Sequence, residues 1–223
     1  MLSPKYLEDA PESMVELYAQ AETDILVDMA RRISTYDYFI PAAEHQLRML
    51  EEMGATQDYV FKRLAELTGK SERELERLFE DAGEKAGSSD AEIYRRAGLD
   101  PPSLNTSDAL QRRLASGMRQ TQQAFINLTR SAALGAHDEL GQALDRAWIQ
   151  ITTGGMDANT AIRSAVKWMA ARGVDTVDYD TGATASIEAA VRRATVTGIN
   201  QTAIGMQPVS YTHLRAHETR RHV

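Results

Sequence analysis

The chain has 223 residues, of which 43% are hydrophobic and 26% are charged, and it contains no cysteine. These values describe a globular protein with one sizeable core or two small ones, and they exclude disulfides, thiolate nucleophiles and cysteine-based zinc sites. The net charge is −7, and residues 1–100 hold 22 acidic against 12 basic side chains, so the front half repels phosphate and nucleic acid is disfavoured as the main partner.

Apolar periodicity predicts helices throughout residues 1–98, the acidic N-terminal region. One apolar stripe begins after Pro11 and recurs at steps of three and four residues as far as Ile33. A second predicted helix starts at Pro41, carries Leu47, Leu50 and Met53 on its apolar face, and ends at Gly54. Glycine favours that end because it adopts the left-handed conformation that closes many helices.

Residues 57–85 are predicted to form a helical hairpin. Its first helix carries the apolar residues Val60, Phe61, Leu64 and Leu67. A tight turn is predicted at Gly69–Lys70, and Ser71 with Glu74 has the spacing of a capping box that starts the second helix. Helix-turn-helix DNA readers share this outline, but the second helix is rich in glutamate, which disfavours insertion into a DNA groove.

The C-terminal region, residues 108–207, is predicted to be a bundle of long helices that follows a linker at 99–107. The linker reads LDPPSLNTS, and its two prolines prevent helix continuation. The region is predicted to contain one long helix or two with a bend near Gly135, then a helix capped by Asp157 or Asn159. A short β-hairpin near 174–182, with its turn at 181–182, precedes a final helix. The fold class is therefore mainly α, a multi-helix bundle with one hairpin.

No motif supplies a catalytic set. Ser164 and Lys167 match the S-x-x-K pattern of serine acyltransferases, but the companion elements are missing, and the polar side of a helix explains both residues better. The candidate metal ligands before residue 208 are three aspartates near the predicted hairpin and two isolated histidines: Asp175, Asp178, Asp180, His45 and His137. The aspartates lack the glycine and distal glutamate of a calcium loop, and neither histidine has a partner at ligand spacing. We therefore predict no enzyme, no cofactor and no metal.

The composition changes abruptly after Gln207. Residues 208–223 read PVSYTHLRAHETRRHV and are similar to translated sequencing-adapter sequence. We expect these residues to be a non-native tail and the native protein to continue differently. A natural basic C-terminal tail is the alternative.

An ordered series of segments resembles the phage minor capsid protein family, which is related to phage head-morphogenesis proteins. The series includes LTGKSERELERLFEDAG, ALDRAWIQITTGGMDANTAIRSAVKWMAARG and AAVRRATVTGINQTA, and the resemblance covers most of residues 2–207. It implies a structural protein of the tailed-phage virion, present in few copies. It also implies assembly in the cytoplasm of the bacterial host, with the portal protein and other capsid proteins as partners. We expect no membrane partner, because no apolar run approaches the roughly 20 residues needed to cross a bilayer.

The residues that fit the family pattern best lie in the last helix. We predict that Arg192, Arg193, Asn200, Gln201 and Thr202 contribute a protein-contact surface. The alternative is that the apolar residues of this helix are core and the arginines are merely solvated. Two other functions stay open: the N-terminal scaffold of a larger head protein whose enzymatic or toxin-like C-terminal domain is missing, and a DNA-packaging accessory protein.

Overall fold

The computed structural model describes residues 2–96, 98, 100, 104, 107–172, 176–178 and 184–221, and at 89–90, 92–93, 176–178, 184–185 and 208–221 it describes the backbone alone. This part of the chain is mainly helical, as predicted. Its elements are α1 (Pro4–Asp9), α2 (Glu12–Thr35), α3 (Ala42–Arg96), α4 (Asp108–Thr152), α5 (Ala158–Arg172), β1 (Thr176–Asp178), β2 (Thr184–Ser186) and α6 (Ile187–Arg221).

Helix α3 continues through every glycine at which the sequence predicted a break. It passes Gly54 and Gly69 in a single run of 55 residues, so the predicted helix end at Gly54 and the hairpin turn at Gly69–Lys70 are wrong. An internal glycine costs about 1 kcal/mol relative to alanine, which burial elsewhere on the helix outweighs. Ser71, predicted as the cap of a new helix, is instead a buried residue within α3.

Helix α4 is likewise continuous through Gly135, which selects one long helix from the two predicted alternatives. It ends where Gly154 adopts a φ of +72°, a conformation that favours glycine. The next helix, α5, is capped by Asp157, whose carboxylate accepts a hydrogen bond from the Thr160 backbone N–H at 3.0 Å. Of the two predicted caps, Asp157 is therefore confirmed.

Strands β1 and β2 pair antiparallel, with Val177 opposite Ala185. The hairpin was predicted within 174–182, whereas β2 lies beyond that range at Thr184–Ser186, so the hairpin as predicted is not supported. The predicted turn at 181–182 lies outside the described residues. Helix α6 starts directly after β2, where Ser186 Oγ accepts a hydrogen bond from the Ala189 N–H at 3.2 Å, and it continues across Gln207.

The chain forms two compact units. Unit 1 comprises residues 1–15, 70–125 and 191–223, and unit 2 comprises 16–69 and 126–190. Each unit takes segments from both sides of the predicted linker at 99–107, most of which lies outside the described residues. The division of the sequence into 1–98 and 108–207 stays a prediction. The largest buried apolar side chains of unit 1 include Met14, Leu75, Phe79 and Ile199, and those of unit 2 include Met29, Ile33, Val60, Leu140, Leu144 and Met169.

Candidate protein-contact surfaces

Two runs with the same Gly-x-x-Gln-Thr pattern pack against each other in unit 1. They are Gly117–Thr121 of α4 and Gly198–Thr202 of α6. A Cβ added to Gly117 would lie 3.0 Å from the Thr202 Cβ, and a Cβ added to Gly198 would lie 3.1 Å from the Thr121 Cβ. The contact is reciprocal, so the two helices run antiparallel here, at a separation that only glycine permits.

This packing divides the predicted contact residues between two faces of α6. Thr202 is only 5% exposed because it faces Gly117. Arg193 and Gln201 are exposed and Asn200 is half-buried. At about 100° per residue these three project away from Thr202, on the side that also carries Ile204. We name Arg193, Asn200, Gln201 and Ile204 the outer face of α6.

Arg192 makes an ion pair within unit 1. Its guanidinium donates a hydrogen bond of 2.7 Å to a carboxylate oxygen of Glu12, which lies in the first turn of α2. The hydrogen bond from Arg192 holds the pKa of Glu12 below its ordinary value. The two residues are 180 positions apart, so no local pattern indicates this partner. Arg192 therefore has an intramolecular role in addition to any contact with another protein.

The N-terminal half of α3, in unit 2, carries apolar side chains on an exposed face. Leu47, Leu50 and Phe61 are 66%, 58% and 50% exposed. The sequence placed these residues on apolar helix faces, and periodicity alone did not show whether those faces are covered. The buried face of this half of the helix is formed by His45, Thr56, Val60, Leu64 and Leu67. It lies about 130° around the helix from the exposed leucines.

We name this second face the exposed stripe of α3. It consists of Ala43, Leu47, Leu50, Gly54, Phe61 and Ala65, of which Gly54 is half-buried and the others are exposed. A Cβ added to Gly54 would meet no atom within 4 Å. The stripe therefore has protruding side chains on both sides of an open position.

A buried polar cluster lies at the start of α3 in unit 2. The His45 ring is fully buried, stacks on Trp148 with ring centroids 4.5 Å apart, and has Nε2 3.3 Å from a carboxylate oxygen of Asp145. A carboxylate only accepts, so Nε2 donates, and the one hydroxyl proton of Tyr36 is shared between Nδ1 at 2.8 Å and the His45 carbonyl oxygen at 3.0 Å. Burial raises the pKa of Tyr36 to about 12.

This cluster explains the isolated histidine of the sequence as a structural residue. Its carboxylate partner is 100 positions away, which no spacing rule could reveal. Among the described residues no group of three or more His, Cys, Asp or Glu side chains is placed to hold a metal ion. Nor does any helix in the described ranges combine the length and apolarity needed to cross a bilayer.

A family model described as phage minor capsid protein 2 matches residues 2–212. The chain belongs to the phage minor capsid protein family. Its role is therefore structural, within a phage capsid. No curated protein and no solved structure matches this minor capsid protein. The family match extends past Gln207, so the predicted non-native tail begins within the matched range.

A capsid structural protein acts through its surfaces, and this minor capsid protein offers two of different chemistry. The outer face of α6 is mainly polar and lies over tightly packed backbone. The exposed stripe of α3 is apolar and lies over a buried face that already fills the core of unit 2. The sequence pointed to the first surface through the family pattern and missed the second, because its residues have the composition of core.

Proposed function

We propose that this minor capsid protein contacts the portal protein and neighbouring capsid proteins of a tailed phage during head assembly in the host cytoplasm. The family match over residues 2–212 carries the proposal. The protein acts by binding: its helix faces contact partner subunits, and the binding free energy adds to the stability of the assembled state.

The outer face of α6 is the surface we assign to the portal. It combines a guanidinium, two side-chain amides and an apolar residue, Ile204, which is 48% exposed. Arginine is enriched at protein interfaces, and amides supply the hydrogen bonds of an interface rim. The contact of Gly117 with Thr202 beneath this face holds its backbone close to α4, so little conformational freedom is lost on binding.

Co-expression with the portal protein of the same phage, followed by affinity co-purification, tests the assignment. We expect Arg193→Ser with Gln201→Ala to reduce portal recovery at least about tenfold, because the pair removes an interface arginine and a neighbouring hydrogen-bonding amide together. Helix content by circular dichroism should stay unchanged, because both side chains are exposed.

Two controls separate contact from structure. Arg163→Ser removes an exposed arginine from α5 and should leave portal recovery unchanged. Glu12→Gln weakens the ion pair with Arg192 but keeps both arginines, so recovery should fall little. Full portal recovery by the Arg193 and Gln201 variant would rule out this face as the contact.

A further inference from the structure

The exposed stripe of α3 has the geometry of a helix–helix seam. Its members follow one another at steps of three, four or seven residues from Ala43 to Ala65, so they stay on one side of the helix for about 33 Å. Apolar side chains at such spacing allow an amphipathic helix to bind lengthwise along an apolar surface of a partner. The open position at Gly54, between Leu50 and Phe61, leaves room for a side chain from a partner.

Burial of the opposite face of α3 shows that the exposed stripe is not needed to hold the helix in unit 2. Val60 and Leu64 of α3 are already buried in unit 2, so Leu47, Leu50 and Phe61 are not needed to hold the helix in place. Exposed apolar residues scattered singly are ordinary, but residues aligned on one face mark interaction sites.

An acidic ridge borders the stripe. Glu44, Glu51 and Asp58 are exposed and seven residues apart, so they line up along one edge. Glu44 forms an ion pair with Arg48 at 3.1 Å. Lys62 lies one helical turn beyond Asp58. The positions nearest the centre of the stripe, Glu51 and Asp58, face a partner as negative charges.

This charge pattern argues against a second copy of the chain on the stripe. Antiparallel pairing centred on Gly54 would place Glu51 of one copy beside Asp58 of the other, twice by symmetry. Each copy also has a net charge of −7. Like charges juxtaposed across an interface oppose association.

We propose that the exposed stripe of α3 docks an amphipathic helix of another protein whose apolar seam is flanked by basic residues. Leu47, Leu50 and Phe61 supply the apolar contact, and Glu51 and Asp58 select the basic flank. This surface is separate from the outer face of α6, and it does not depend on portal binding.

Two synthetic helical peptides test the proposal on the full chain. Both carry the same leucine seam over about three heptads, with lysines beside the seam in one and glutamates in the other. Fluorescence anisotropy should show binding of the lysine peptide and a preference for it over the glutamate peptide. Leu47→Gln with Leu50→Gln should weaken that binding at least about tenfold, as loss of central apolar anchors does.

A matched control and a charge reversal make the test specific. Leu134→Gln with Ile149→Gln changes two apolar residues of α4 that are 54% and 47% exposed, and it should leave binding of the lysine peptide unchanged. Glu51→Lys with Asp58→Lys should reverse the preference, so that the glutamate peptide binds better. Circular dichroism of each variant shows whether it is folded.

Several outcomes would overturn the proposal. They are failure of the lysine peptide to bind, an equal loss in the α4 control, and a preference that the charge reversal leaves unchanged. A dimer of the chain, seen by sedimentation and abolished by the Leu47 and Leu50 changes, would assign the stripe to a second copy instead. None of these results bears on portal recovery, so this inference and the portal proposal fail separately.

Discussion

The contact between α4 and α6 in unit 1 and the exposed stripe of α3 in unit 2 use their residues in opposite ways. In unit 1 a Gly-x-x-Gln-Thr run that the sequence assigned to a surface has its glycine and threonine packed against a second copy of the same pattern. In unit 2 leucines that the sequence placed on an apolar helix face are exposed. Periodicity shows which residues share a helix face, and it does not show which face is covered.

The two regions also differ in how their side chains contribute to the free energy of folding. Burying a leucine fully is worth about 1.5–3 kcal/mol, so a fold that leaves Leu47 and Leu50 exposed gives up stability that a partner can recover. The Gly117–Thr202 contact gains its stability differently, from close approach of two helices and many short-range contacts. The exposed stripe of α3 is thus open to binding, while the contact between α4 and α6 is closed to any added atom.

The largest effect is expected from Gly198→Val. Its added atoms meet Thr121 of α4, whose Cβ is already 3.1 Å from where a Cβ would stand. Overpacking at such a site should lower the free energy of unfolding by on the order of 3 kcal/mol, measured by urea denaturation. Gly135→Val is the control, because a Cβ at Gly135 meets nothing within 4 Å. Equal destabilisation by both variants would refute the tight contact.

A smaller loss is expected from Tyr36→Phe. The change removes the hydroxyl beside His45 Nδ1 and leaves a buried acceptor without its donor, which costs about 1–3 kcal/mol. Thermal unfolding measures it, with Tyr59→Phe as the control at a half-buried tyrosine of α3. If both variants melted alike, the His45 cluster would not anchor the start of the helix that carries the stripe.

The smallest effect is expected from Leu47→Gln with Leu50→Gln on the isolated protein. Both side chains are more than half exposed, and exposed substitutions change stability by about 0.5 kcal/mol or less. Leu64→Ala, on the buried face of the same helix, should cost about 2–5 kcal/mol in the same denaturation series. A large loss in the glutamine variant would show that the stripe is part of the core.

The mainly helical fold was predictable because apolar residues recur at helical spacing through most of the chain. The helix breaks were not, since glycine is compatible with both a helix end and a helix interior, and the local sequence around Gly54 and Gly69 does not decide between them. The cap at Asp157 was predictable because a carboxylate before a helix has a local hydrogen-bond partner.

The surfaces were predictable only in part. The family pattern directed attention to the last helix, but it did not reveal that Thr202 faces Gly117 while Arg193 faces outward. The Arg192–Glu12 and His45–Asp145 pairs join residues 180 and 100 positions apart. Such partners follow from the packing of long helices, which a single sequence does not encode locally.

Cross-linking mass spectrometry of purified virions determines whether this chain is a structural part of the phage head that works by contact. We expect the chain to be present in low copy number. We also expect a lysine replacing Arg193 to cross-link to the portal protein, and a lysine replacing the exposed Arg163 of α5 not to do so. Absence of the chain from purified virions, or cross-links from its surfaces to no head protein, would contradict the account.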